Sequence, residues 1–263
     1  MELFPAAVFN PSRMSSPRPS RDAAAGRPVE RLPFTVRRVE TESDLLKAVR
    51  IRHAAYARHV PEFAHTLAQP EAADYEHDTI VLLAESKLDG TPLGSTRIRT
   101  NQYRPLSIEE SIALPSHLQG KRLVEAVRLG IDEGRVGRLV KTALIKACFQ
   151  YCEDNDIDYS VAAGRPSVAR QYEQLMFVDL FPEQGPIPLR HAGNIPHRIM
   201  AFEIASFQQR WTEARHPLRD FFFNTHHPDI DSGPRRIAPV SPQLAPRPAA
   251  PAMLPERREI AFA

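Results

Sequence analysis

The sequence predicts an α/β protein with a mixed central sheet flanked by helices, and three observations carry that prediction. Between residues 33 and 227, short apolar stretches with a two-residue period alternate with longer stretches of helical period. Residues 78–86 and 91–100 are strand-like runs separated by the turn "KLDG", which reads as an antiparallel hairpin. Residues 123–131 and 157–164 bracket an amphipathic helix, so the usual right-handed crossover makes them parallel neighbours.

Each element follows from its own pattern. "LPFTVRRVE" (32–40) suits a first strand, and "TESD" (41–44) is a capping-box start for a helix reaching about His59. On that helix Leu45, Val49, Arg52 and Tyr56 share a stripe, so an arginine sits at the centre of an apolar face, either snorkelling or paired. The second strand of the hairpin shows Arg97 and Arg99 on one face. After the strand at 123–131, "GRLVKTALIKACFQYCEDN" (137–155) is a helix with Val140, Leu144, Cys148 and Tyr151 inward. "IDYSVAAG" (157–164) is a strand, "SVARQYEQLMF" (167–177) a helix and "HRIMAFEIASF" (197–207) a closing strand.

With 263 residues and 42% hydrophobic content, the chain can bury one sizeable core, expected as one catalytic-size domain over 33–227. Residues 1–32 scatter five arginines among Pro, Ser and Ala without a period, and read as a disordered arm or an organelle transit peptide. Residues 228–263 are interrupted by eight prolines and read as a disordered tail. A net charge of +2 is too mild to announce nucleic acid. Cys148 and Cys152 are four apart and suit core packing; neither a metal site nor a disulfide framework is expected. Without a long apolar run or a secretory start, the expectation is a cytoplasmic protein with no membrane span. HExxH, GxSxG, GxxxxGK[ST] and GxGxxG are all absent, which removes the commonest metalloprotease, hydrolase, P-loop and dinucleotide signals.

The stretch "LVEAVRLGID" (123–132) asks for a special explanation. Leu123, Glu125, Val127, Leu129 and Ile131 would share one face of a regular strand, so a carboxylate lies in an apolar row and must find a partner or shift its pKa. Arg128 would point to the opposite face unless a β-bulge turns it back, which would bring both functions to one cleft. The strand then meets "EGRVGR" (133–138) and a helix. Free N–H groups at the helix start, Gly134 and Gly137, and the forks of Arg135 and Arg138 together suit a phosphate, although many such turns bind nothing.

The order of elements and this joint resemble the GNAT acyltransferase fold. The joint is similar to that family's acyl-carrier loop, and "YEQLMF" (172–177) to its Y-x-x-x-G-F ending, with Arg138 and Met176 standing where glycine is usual. Within the fold, "RHAAY" (52–56), "EHD" (76–78), "LGSTRI" (93–98) and "VEAVRLGI" (124–131) resemble, in order, motifs of the acyl-homoserine-lactone synthases and N-acyl amino acid synthases. No tryptophan follows "RHAAY", and the acidic pair falls at Asp74 and Asp78, which favours the N-acyl amino acid branch over lactone synthesis.

That resemblance implies transfer of a long-chain acyl group from acyl carrier protein to the amine of an amino acid or similar small amine. No tightly bound cofactor is implied; the co-substrate is an acyl-phosphopantetheine carrier or acyl-CoA. Glu125 would accept the amine proton and Tyr172 would protonate the leaving sulfur. N–H groups near Val127 and Leu129 would polarise the thioester. Arg52, Arg97 and Arg128 would pair with Asp78, Glu125 and the acceptor's carboxylate, with Tyr56 beside them. The acyl chain would lie between diverging strands around Val127, Leu129 and Val161. Arg135, Gly137, Arg138 and Lys141, with Lys146, would meet the phosphopantetheine and the acidic carrier. Rival expectations are a CoA-dependent N-acetyltransferase, a lactone synthase and a non-catalytic GNAT-like module.

Overall fold

Alternation along the strands sorts their side chains onto the two faces of one eight-stranded sheet, in the computed structural model that describes residues 26–233. The strands are β1 (Phe34–Arg38), β2 (Thr79–Ser86), β3 (Pro92–Thr100), β4 (Leu123–Ile131), β5 (Tyr159–Gly164), β6 (Val178–Asp179), β7 (Ile187–Leu189) and β8 (Ile195–Glu203). They run in the order β1-β2-β3-β4-β5-β8-β6, with β7 also paired to β8. The hairpin pairs antiparallel and β4 pairs parallel with β5, so the predicted mixed sheet is present.

Helix α1 (Glu42–His59) starts where Thr41 accepts the Asp44 N–H, as the capping motif requires. Its Leu45, Ala48 and Val49 cover Val81 and Leu83 on one face. Next to them, on the same side, residues 106–118 bring Leu106, Ile108, Leu114 and Leu118 over Leu123, Val161 and Ile199. On the opposite face α3 (Gly137–Asp154) lays Val140, Ala143, Leu144 and Ala147 over Ile80, Leu82, Ile98 and Val124. Each such fully buried leucine or valine contributes about 1.5–3 kcal/mol of transfer free energy. Short helices α2 (Pro61–Ala64), α4 (Pro166–Gln174) and α5 (Phe207–Glu213) complete the layers.

Two backbone features position the site. Ser95 pairs with Gly130 and Arg97 with Val127, so Thr96 alone faces Arg128 and Leu129: β4 carries a bulge, with Arg128 at φ 57°. Beyond Glu125 and Val161, moreover, the β4–β5 ladder ends while β5 continues along β8 to Gly164. The sheet therefore opens at its centre. Gly130 lets α1 close over the bulge, because a Cβ there would stand 2.8 Å from the Arg52 Cα.

Several boundaries differ from the sequence reading. Residues 26–32, assigned to the arm, run beside residues 226–229: Leu32 is buried and its N–H donates to Asp229 Oδ2 at 2.9 Å, while Val29 bridges His226. Residues 228–232, assigned to the tail, hold Ile230 in the core. The rest of both segments, 1–25 and 234–263, lies outside the described residues. The closing strand ends at Glu203, after which α5 packs Phe207 and Trp211 on Phe149, Phe202 and Phe222. Helix α4 stops at Gln174, and Met176 takes φ 68°, the left-handed position for which the resembling motif keeps glycine.

Candidate functional site

The bulge turns Arg128 to the face of Arg97 and Arg99, which is also the face of Glu125. The two residues that a regular strand would separate do share a side. They do not pair with each other. Arg128 grips Glu71 through Nε and Nη2, both at 2.8 Å. Arg52 grips Asp74 through both terminal nitrogens at 3.0 and 2.8 Å, and Arg97 reaches Glu71 at 3.0 Å and Asp74 at 3.1 Å. Three guanidinium groups thus meet two carboxylates, with one positive charge in excess. Burial by itself would raise both carboxyl pKa values, but the arginine bonds outweigh it and hold Glu71 and Asp74 below their ordinary range.

This corrects the expected partners. Arg52 does not snorkel; it is 2% exposed and paired. Neither Asp78 nor Glu125 is bonded to Arg52, Arg97 or Arg128. Asp78 lines a separate cavity of about 610 Å³ with His77, Tyr103 and Arg104, whose Nε lies 3.6 Å from Oδ2. Arg99, for its part, bonds Glu76 and Ser107.

Glu125 is fully buried. Its Oε2 accepts the Ser107 N–H at 2.8 Å, its Oε1 has no hydrogen-bond partner, and burial pushes its pKa up to about 7. His191 Nε2 stands 3.7 Å from Oε1. Burial, then Arg128, lower the His191 pKa to about 4, so the imidazole is neutral at pH 7. The His191 carbonyl accepts from Arg128 Nη2 at 3.2 Å.

Where β4 and β5 part, a cleft of about 390 Å³ opens. Tyr56 and Phe63 form one wall, Ala126 to Leu129 of β4 another, and Ala163 to Arg165 with Tyr172 a third; His191 and His197 also line it. Val127, Arg128, Leu129, Tyr56 and Tyr172 therefore share one cavity. Burial, then the neighbouring Tyr56, push the Tyr172 hydroxyl up to about 12, so it carries its proton at neutral pH. The Arg128 guanidinium lies 5.1 Å over the Phe63 ring. Val161 does not line the cleft: it is the last residue of β5 paired with β4 and is buried among Leu106 and Leu118.

At the joint, Gly137 is explained by its own backbone, since a Cβ would fall 2.5 Å from the Asp132 carbonyl oxygen. Arg135 and Arg138 are exposed, and Lys141 lines the cleft while bonding Gln171 at 2.9 Å. Burial lowers the Lys141 pKa. Lys146 is not on this surface. It is buried and donates to the carbonyls of Phe221 and Thr225 at 2.6 and 2.8 Å.

Sequence reasoning missed Glu71, His191 and Phe63. For Glu71 a signal existed: "EAAD" (71–74) sets two carboxylates three apart on a turn, and three arginines in apolar settings demand such partners. His191 lies in the short "LRHAGN" (189–194) connection, which carries only a turn signal.

Residues 47–198 match the family model described as N-acyl amino acid synthase FeeM. The solved structure of FeeM, an N-acyl amino acid synthase from uncultured soil microbes, superposes with a TM-score of 0.53 at 17% identity, covering 72% of this chain and 97% of that one. A CoA-dependent acyl-homoserine lactone synthase, BjaI, solved with SAM and isopentyl-CoA, gives 0.49 at 16% identity, covering 77% and 95%. A GNAT-family protein from Desulfovibrio desulfuricans gives 0.47 at 12%, covering 65% and 99%. No curated protein sequence matches. Among the described residues, no helix is long and apolar enough to cross a membrane.

Proposed function

The chain belongs to the N-acyl amino acid synthase FeeM family, and from that premise we propose that this acyltransferase moves a long-chain acyl group from acyl carrier protein to the amine of an amino acid. The observation that carries this reading is the gap between β4 and β5, where strand backbone and apolar side chains form the walls of one cleft. A thioester threaded through the gap would place its carbonyl against main-chain N–H groups near Val127 and Leu129, which favour the developing oxyanion. Tyr56, Phe63 and Val127 offer apolar contact to the acyl chain. Arg135 and Arg138, exposed at the joint, suit the acidic surface of a carrier protein and the phosphate of its arm.

Aminolysis then needs one proton removed from the acceptor ammonium and one delivered to the leaving thiolate. Glu125, with a pKa near 7, is matched to the first task, because a base poised near the working pH is most effective. Tyr172 is matched to the second. The Glu71–Asp74–arginine cluster holds the bulge in shape and leaves one positive charge near the cleft, which attracts the acceptor's carboxylate.

Incubating the purified chain with dodecanoyl-acyl carrier protein or dodecanoyl-CoA and a mixture of amino acids, then weighing the products by mass spectrometry, tests donor and acceptor together. An N-dodecanoyl amino acid formed from the carrier but not from CoA agrees with the proposal. Acetylation from acetyl-CoA alone would replace it.

A further inference from the structure

Glu125 has a problem that the cleft does not solve: it is fully buried and does not line the cavity where the amine must sit. A base sealed from its substrate needs a carrier. His191 is the ionisable group that both lines the cleft and approaches Glu125, with Nε2 3.7 Å from the carboxylate oxygen that has no partner. Its other nitrogen, Nδ1, is buried without a hydrogen-bond partner. With the ring proton on that buried nitrogen, the lone pair of Nε2 is left to take a proton on the cleft side and give it to the carboxylate. The ring is held in place by its own chain. Arg128 binds the His191 carbonyl, the Arg190 N–H donates to Ser111 Oγ at 2.9 Å, and Gly193 turns the loop back toward Phe63.

We propose that His191 is a catalytic residue that carries the proton of the acceptor ammonium from the cleft to Glu125. The proposal rests on the acyl-transfer reading above. Nε2 of the neutral ring takes an N–H proton of the ammonium and passes it on to Glu125 Oε1, so the ring ends neutral as it began. The freed amine pair attacks the thioester carbon, the C–S bond breaks, and the second amine proton balances the thiolate. Glu125 later returns its proton to solvent by the same route, and one proton is released per turnover. The separation of 3.7 Å exceeds a hydrogen bond, and catalytic contacts of this kind tighten when substrate is seated. The low pKa of His191 fits a group that passes a proton on, while Glu125 is the group that holds it.

The groups facing His191 are Glu125 and Arg128 from β4, Arg99 from β3 and His197 from β8. None of them changes in His191→Gln, which keeps a polar side chain without a titratable nitrogen. The test uses the full chain, dodecanoyl-acyl carrier protein and mixed amino acids, with wild type and variant assayed from pH 6.5 to 9.5. The expected result is a loss of about 10²-fold near pH 7 that shrinks by about tenfold or more at high pH, where the amine arrives already neutral. Added imidazole should restore part of the rate in His191→Ala. A deficit equal at every pH, without rescue and with an unchanged thermal midpoint, overturns the relay and leaves His191 a wall of the cleft. A wild type that acylates no amino acid from either donor overturns the functional reading, and the relay with it.

Discussion

Arg128 and Glu71 are joined by two parallel hydrogen bonds of 2.8 Å across 57 residues of chain, and this contact fastens the bulge of β4 to the turn before β2. A two-point guanidinium–carboxylate bond fixes both planes, so it defines direction as well as attraction. Because Arg97 shares both Glu71 and Asp74, loss of one carboxylate strands more than one charge.

Glu71→Gln is therefore expected to destabilise the chain. Removing one partner of a buried ion pair costs on the order of 3–5 kcal/mol, and partial exposure of Glu71 places the effect at the low end, a fall of roughly 5–10 °C in Tm. Arg104→Ala, at an exposed side chain, should change Tm little. Differential scanning calorimetry of both variants checks the contrast; equal midpoints would show that the cluster does not hold the fold.

Acid should act on the same cluster. Glu71 and Asp74 have pKa values depressed below their ordinary 4.5 and 3.8, so the folded state binds fewer protons than the unfolded chain. Their contribution is complete above the ordinary values and disappears as pH falls through the lower, folded ones. A Tm series from pH 6 to 3 should fall, and fall less steeply in a Glu71→Gln, Asp74→Asn double variant.

Glu125→Gln behaves oppositely. The folded carboxyl pKa of about 7 lies above the ordinary 4.5, so the fold binds the extra proton and wild-type stability declines as pH rises between those values. Glutamine keeps an acceptor for the Ser107 N–H and removes the buried charge. The variant should melt no lower than wild type at pH 8 while single-turnover acyl transfer falls by about 10²-fold or more. A much lower Tm with near-normal turnover would mean that Glu125 serves architecture.

Charge reversal at Arg135 and Arg138 should weaken apparent affinity for acyl carrier protein and leave turnover of a short thioester mimic unchanged, since exposed rim charges mainly steer encounter. Wild-type affinity should also fall with added salt. Equal losses on both donors would place these arginines in the chemistry itself.

Trimming the chain to begin at residue 26 should leave Tm near that of the full chain, whereas beginning at residue 33 removes Leu32, buried in the core and bonded to Asp229. Loss of such a side chain costs about 2–5 kcal/mol. Matched midpoints for the two truncations would contradict the placement of Leu32.

The sequence made some of this legible and hid the rest for physical reasons. Helix α1 announced itself through Thr41 and its apolar stripe, and the bulge could be suspected from Glu125 and Arg128 sitting three apart in one apolar run, because period two cannot seat both on one face. The partner of Arg128 could not be read there. It comes from a turn with no period of its own, and "EHD" drew attention instead by adjoining a clear strand. His191 was hidden for a related reason: it belongs to the connection between the three-residue β7 and β8, where neither alternation nor helical spacing has room to appear. Val161 was placed in the cleft because it lies on β5, but where a parallel ladder stops depends on the packing of residues 106–118, which the strand itself does not encode.

The pairing of β1 with residues 229–231 has a consequence for aggregation. β1 stands at the margin of the sheet, and its outer side is sealed by Asp229 and Asp231, which exchange backbone hydrogen bonds of 2.8 Å with Val36 on either side. An edge strand is thus covered by a segment that lies far along the chain from it. Until residues 229–231 are in place its edge is open to strand addition from neighbouring chains, and a polypeptide cut before residue 229 keeps that edge bare. Two backbone hydrogen bonds from one short segment therefore guard this margin against aggregation.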